Sequence, residues 1–291
     1  MTRAALVVAL FAASAAHAQT TGVAVDRFVP AIGPASLVGV EGAAVTPPGA
    51  VSVAASVDAI GDPIELHTAT TGAVVSEPVD YALVGNVALE FGIWKRIALA
   101  VGVPVVLYQT GDRLQGTGTS ERPLQATVAG DIRVRAKASL VENKRIGAAV
   151  ILQVTAPGGG QSDFAATDGA TVEPRLVVDA HLGRVTLAAS IGARFQKERA
   201  LFTTQFGDEL VWAGALAVAI IPRLQLIAEA AGGVGPSDGT RPAELRGALR
   251  GVFGPVTLDL GGGAGVDGDV GAPKYRVFLV ARSMWPPSVL R

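Results

Sequence analysis

The stretch 131–140, DIRVRAKASL, limits the fold more than any other part of the chain. Asp131, Arg133, Arg135, Lys137 and Ser139 alternate with Ile132, Val134, Ala136, Ala138 and Leu140. A period of two sends the charges to one face of a β-strand and the apolar side chains to the other. Three successive cations on one face need water or counter-charges, while the opposite face needs an apolar neighbour. The outer face of a soluble β-sandwich and the inner face of a membrane β-barrel both meet these demands.

Hydropathy separates the two. Mean hydropathy is +0.43, high for a soluble secreted domain, yet no stretch has the length and apolarity of a membrane-spanning helix. A barrel reconciles these facts, because its lipid face is apolar at every second position. The start of the chain fits export. Arg3, the apolar run 4–16 and Ala16-His17-Ala18 form a signal peptide over 1–18, giving a mature chain from Gln19. The expected location is the bacterial outer membrane, with its lipid as partner and the barrel as a monomer. The absence of cysteine excludes a disulfide framework and thiol chemistry. A formal net charge of −1 argues against nucleic acid as a partner.

Residues 19–49 are rich in Gly, Pro and Ala and carry neither helical nor strand periodicity. They read as an irregular lead-in, periplasmic or folded into the lumen. From 50 to 285 the alternation becomes regular. Twelve candidate strands follow, at 51–59, 79–91, 97–107, 131–140, 146–156, 171–182, 185–196, 208–220, 224–231, 243–252, 256–262 and 274–284. Short turns such as GIWKR and VENKR alternate with longer polar connections, including 60–78 and 108–125. This predicts an all-β, antiparallel, up-and-down transmembrane barrel of about twelve strands, within ten to fourteen. Short turns face the periplasm and long loops the exterior. Pro104 and Pro174 fall inside predicted strands and are expected to mark bulges near strand ends. Residues 286–291 form a tail.

The segments DRFVPA, VEGAAVTPPG, VGVPVVLYQ, GDIRVRAKASL, TVEPRLVVD, GDEL and GAPKYRVFLVARS resemble bacterial outer-membrane proteins of the OmpA family. They run from Asp26 to Ser283. The resemblance implies an N-terminal barrel followed by a Pro-rich linker and a peptidoglycan-binding domain. The sequence stops at Arg291, so the resemblance covers the barrel and lacks that domain, and cell-wall anchoring is not carried over.

Three descending strands open on an acid and an arginine two residues apart: Asp131/Arg133, Glu173/Arg175 and Glu244/Arg246. That spacing puts both groups on one face, roughly 7 Å apart. Arg135, Lys137 and Arg250 lie deeper on the same face. Glu209, Glu229 and Asp80 add acids at the outer level, and Arg194, Arg276 and Arg282 add bases elsewhere. These residues would line a lumen, either as a water-filled constriction or as salt-bridge ladders filling a closed interior. Small residues at Ala82, Ala88, Ala98, Gly102, Gly147, Ala188, Ser190 and Gly192 favour a narrow pore with a locally positive wall.

No catalytic, cofactor or metal site is expected. His67 and His181 stand without a nucleophile motif, and no His/Cys cluster is present. The leading function is passive passage of small polar solutes, without enzymatic activity. The alternatives are a closed structural or surface-interaction barrel displaying loops, or a soluble secreted β-sandwich.

Overall fold

A computed structural model describes residues 22–67, 74–112, 123–201, 204–235, 241–266 and 270–286. The signal peptide and all but the first residue of the tail lie outside the described residues.

Twelve antiparallel strands form the wall: β1 (Val51–His67), β2 (Val74–Trp94), β3 (Ile97–Thr110), β4 (Ile132–Glu142), β5 (Ile146–Ala156) and β6 (Thr171–Leu182). They continue as β7 (Val185–Arg194), β8 (Glu209–Ile221), β9 (Leu224–Val234), β10 (Ala243–Phe253), β11 (Val256–Gly265) and β12 (Tyr275–Trp285). Each pairs with the next, and β12 returns to pair with β1, Val51 opposite Trp285 and Gly61 opposite Tyr275. The sheet closes, so no strand of the wall presents an open edge. Among the described residues there is no α-helix, only a 3₁₀ turn at Gln161–Asp163.

Alternation fixes which side chains face out. On β3, Leu99 and Val101 are exposed while Ala98 and Ala100 are buried. On β4, Ile132, Val134 and Leu140 point outward and Arg135, Lys137 and Ser139 inward. Exposed leucine, valine and isoleucine cover the exterior all round. Aromatic residues mark both ends of this apolar belt. Phe91, Trp94, Phe253 and Trp285 stand at the short-turn end, and Tyr108, Phe195, Trp212 and Tyr275 at the long-loop end. An exterior of this kind is matched by hydrocarbon with an interface at each end, and is the outer surface of a transmembrane barrel.

Three details differ from the sequence reading. The connection 60–78 is mostly strand: β1 and β2 run on past Gly61 and Tyr81 through a bulge between Gly61 and Ile64. Ile64 and Val79 are buried at the mouth, which holds these strand ends inward. The same bulge breaks the alternation, so Asp80 faces solvent and not the lumen. Pro104 does sit at a register change, where β3 leaves β4 at Gly102/Arg133 and meets the short strand Val128–Ala129. Pro174 makes no bulge. It stays in register opposite Leu152, and only its ladder to β7 is interrupted.

Residues 22–48 lie inside the barrel. Phe28, Ala31, Ile32, Leu37, Val38, Val40 and Ala43 are each at most 2% exposed. The chain leaves β1 at the short-turn end, where Pro48 bridges Gly92, and runs up the interior. Its other end reaches the long-loop mouth, where the Val25 amide donates to the carbonyl of Phe164 at 3.0 Å.

Candidate functional site: an occupied, charged lumen

Pro30, Gly33, Pro34, Gly39, Gly42, Pro47 and Pro48 deny the internal segment a regular ladder. Its backbone groups are therefore satisfied by charged side chains of the wall. The Glu229 carboxylate accepts from the amides of Val38 at 2.6 Å and Gly39 at 2.9 Å. Asp179 accepts from the Ala43 amide at 2.5 Å, and Glu90 from the Thr46 amide at 3.2 Å. Arginines serve the carbonyls: Arg282 donates to Ala31 at 2.7 Å and Val38 at 2.6 Å, and Arg250 to Ser36 at 2.9 Å. Gly33 turns the chain with φ +92°, and a Cβ there would lie 2.6 Å from a Glu90 oxygen. Charge-assisted bonds of this kind are stronger than neutral ones, and leaving such buried groups unpaired is costly.

The small wall residues have a specific role. Ile32 packs into Ala54, Ala88 and Ala100. Phe28, Leu37, Val38 and Val40 pack on Ala188, Ala217 and Ala248. A Cβ on Gly147 would fall 2.8 Å from that of Ala43. Of the small residues that favour an open pore in the sequence, Ala82, Ala88, Gly147 and Ala188 thus form part of a socket for residues 22–48.

The acid-x-arginine motifs do not act as three like pairs. Only Glu173 meets its own neighbour, with Arg175 Nε at 3.0 Å and Arg194 Nε at 2.6 Å. Asp131 instead holds a loop, accepting from the Thr167 amide at 3.0 Å, its hydroxyl at 2.9 Å and the Gly158 amide at 3.1 Å. Arg133 reaches Asn86 at 3.3 Å. Glu244 pairs with Arg276 at 2.8 Å, and Arg276 also binds Asp58 and, at 3.0 Å, Asp26. Arg246 approaches Glu229 to 3.7 Å. Its guanidinium lies 5.0 Å from the Phe28 ring, which carries Arg276 at 5.1 Å as well. Arg194 and Arg27 share Glu209, at 2.6 and 2.5 Å. Arg250 grips Asp259 through two bonds of 2.6 and 2.8 Å, and Arg282 binds the same carboxylate.

Arg135 and Lys137 are not free cations on a positive wall. Glu41 of the internal segment binds Arg135 and stands 3.4 Å from Lys137 Nζ. Sequence reasoning missed Glu41, Asp26 and Arg27 because they lie in a segment without periodicity. It also missed Asp58 and Asp259, although both occupy inward positions of their strands and could have been found by extending the alternation.

The lumen is divided. Toward β1–β3 its mouth is sealed by an apolar cluster that joins Val23, Val25, Ile60, Ile64 and Val84 to Phe164, Leu201 and Phe206 of the loops. Toward β4–β10 two polar cavities of about 110 and 80 Å³ remain, sharing Arg27, Val29, Gln153 and Arg194 on their walls. At the rim, Lys274 spans Glu65 and, at 3.2 Å, Asp62. Hydrogen bonds to those two carboxylates hold its ammonium above the usual lysine range. His181 lies against Asp179 at 3.5 Å and Thr186 at 3.3 Å, and the side chain of His67 is outside the described residues.

No family model matches the chain, and no curated protein matches it. The OmpA-family resemblance thus gains no support from these comparisons. Solved structures do match. The chain is similar to the KdgM porin, free and in complex with disordered oligogalacturonate, at 8% identity and a TM-score of 0.50 in each case. Each match covers 80% of this chain and 98% of the other. A mutant of the TodX monoaromatic hydrocarbon channel aligns at 10% identity with a TM-score of 0.45, covering 82% of this chain and 90% of that one. At these identities the likeness is one of fold, and the fold is the outer-membrane type of β-barrel.

Proposed function

We propose that the protein resides in the bacterial outer membrane, exported with cleavage after Ala18, and passes small polar solutes through a lumen narrowed by residues 22–48. The observation that carries this reading is the pair of adjacent polar cavities beside the internal segment. A barrel built only as a scaffold has no need of a polar route on one side while the other is sealed with apolar side chains. The route meets the Glu41–Arg135–Lys137 contact, below which Ala43 closes on Asp179 and Gly147. Passage then requires residues 41–45 to shift, and the charged partners that hold Glu41 and Ala43 suit that. Charged contacts can be exchanged for water, whereas an apolar core cannot.

The wall residues Arg133, Arg135, Lys137, Arg175, Arg194 and Arg246, with Glu173, Glu209, Glu229 and Glu244, would then set which solutes enter. Asp131, Arg250 and Arg276 would shape the lumen by holding a loop and the internal segment. The resemblance to OmpA-family barrels is compatible with the location and implies nothing about cargo. No step of this reading calls for catalysis.

The test is conductance of the refolded full chain in planar bilayers. Discrete ion-conducting steps are expected, and a barrel that is folded but silent at all voltages would overturn the pore reading. One observation favours a second reading, a closed structural barrel: the tight closure of Ala43 on Asp179. Under it, a variant lacking residues 22–48 would conduct while the full chain stays silent.

A further inference from the structure

The geometry points to a binding site for a small oxyanion inside the larger cavity, on the β4–β6–β10 side of the lumen. It rests on the pore reading for the anion's way in. Five arginines and three glutamates border this cavity. All three glutamates are engaged by cations, Glu41 by Arg135 and Lys137, Glu173 by Arg175 and Arg194, and Glu244 by Arg276. Each bordering arginine also has a carboxylate partner, Arg27 and Arg194 in Glu209 and Arg246 in Glu229, yet not every guanidinium donor is used. Arg135 and Arg246 are 4% and 7% exposed, and the Nε of each has no hydrogen-bond partner. Gln153, buried between them in the chain of inward positions on β5, leaves its amide oxygen unpartnered as well. Since amide oxygen and nitrogen are interchangeable by a flip of the side chain, Gln153 can present an N–H₂ to the same space.

Arg135 on β4 and Arg246 on β10, each with an unpartnered guanidinium N–H donor, therefore border one cavity together with the Gln153 amide. Planar, charge-assisted donors in this arrangement match the oxygens of a carboxylate or a phosphate, and offer nothing comparable to a neutral sugar. The ligand class is a small solute bearing one such oxyanion. Binding would place it directly above the Glu41–Arg135 contact, where it competes with Glu41 for the same guanidinium. An entering anion could thus loosen the segment that blocks its path.

The experiment is calorimetric titration of the detergent-refolded full chain with inorganic phosphate, glucuronate and glucose at fixed ionic strength set with chloride. Saturable binding of phosphate, glucuronate or both is expected, with none for glucose. The two anions distinguish a phosphate-bearing from a carboxylate-bearing solute. Ser190, which borders the cavity and pairs with no charge, allows Ser190→Asp to add a negative charge without removing a partner. Arg175→Gln is the second variant, since Glu173 keeps Arg194. Each variant is first checked for heat-modifiable migration. Ser190→Asp is expected to weaken anion binding on the order of tenfold, the scale of one charge-assisted bond, and Arg175→Gln several-fold. Oxyanions that bind no better than glucose, or with equal affinity to both folded variants, would mean the donors are merely hydrated and overturn the site. Because calorimetry does not depend on current, a barrel that conducts without binding overturns this inference alone. One that binds without conducting overturns only the pore.

Discussion

Asp259 shows how the interior charge is organised at the level of single residues. Its carboxylate is shared by Arg250 and Arg282, and those two arginines hold three carbonyls of the internal segment. Replacing Asp259 with Asn would leave two buried cations without a counter-charge. A loss of about 3–5 kcal/mol is expected, as for breaking a buried ion pair from one side, read from the urea midpoint of the refolded barrel. A second residue-scale comparison concerns β3. Leu99→Arg puts a charge on the lipid face and should cost about 2–4 kcal/mol near the midplane. From sequence, Ala100→Arg should cost less because it faces the lumen. The structure reverses that expectation: Ala100 is 6% exposed and packs against Ile32, so the larger side chain meets an occupied space. Ala100→Arg should therefore cost at least as much as Leu99→Arg. Removing residues 22–48 should relieve the first penalty and leave the second. Equal relief of both would show that Ile32 does not fill the lumen there.

Among the elements, strands and internal segment contrast in how legible they are. Residues 146–156 and 171–182 could be bounded to the residue from the sequence, because an apolar lipid face alternates with an inward face that carries the small, polar and charged residues. The segment 22–48 obeys no such rule. Its bonds to the wall run mostly through its own backbone amides and carbonyls, which carry no side-chain signature. The clue lay on the opposite surface, in the alanines and glycines of the lumen. Small inward residues are ambiguous in sequence, since an empty pore and a socket need the same volume. The candidate site was legible in part for the same reason. Inward charges followed from register, but their partners, Glu41 above all, did not. Deleting 22–48 should leave a barrel that still folds, since strand pairing and the lipid face are untouched, and should raise unit conductance. Its urea midpoint should fall, because Asp179, Glu229 and Arg282 lose the backbone partners that the segment supplies. An unchanged conductance from a folded deletion variant would remove the segment from the permeation route.

For the whole molecule, the internal segment contributes Asp26, Arg27 and Glu41 to the charge of the lumen, and Glu41 is the one set against the cations of β4. Glu41 sets one negative charge against Arg135 and Lys137 and also ties the internal segment to β4. Neutralising it by Glu41→Gln does two things at once. It exposes a positive wall on the polar side of the lumen, and it removes a tether that closes the route. Single-channel recordings should show higher conductance and a reversal potential shifted toward anions in a salt gradient. Arg135→Gln with Lys137→Gln cuts the same tether but leaves Glu41 as an uncompensated acid, so conductance should rise while selectivity moves toward cations. Combining all three substitutions should keep the conductance gain and return the reversal potential close to that of the unaltered protein. Each shift should grow as ionic strength falls, because the Debye length increases from about 8 Å at physiological salt to about 30 Å at 0.01 M and then spans the lumen. If the single and double variants move the reversal potential in the same direction, Glu41 and the two cations do not act as a pair. If selectivity moves but conductance does not, the contact sets the charge of the route without closing it, and the closure lies below, where Ala43 meets Asp179.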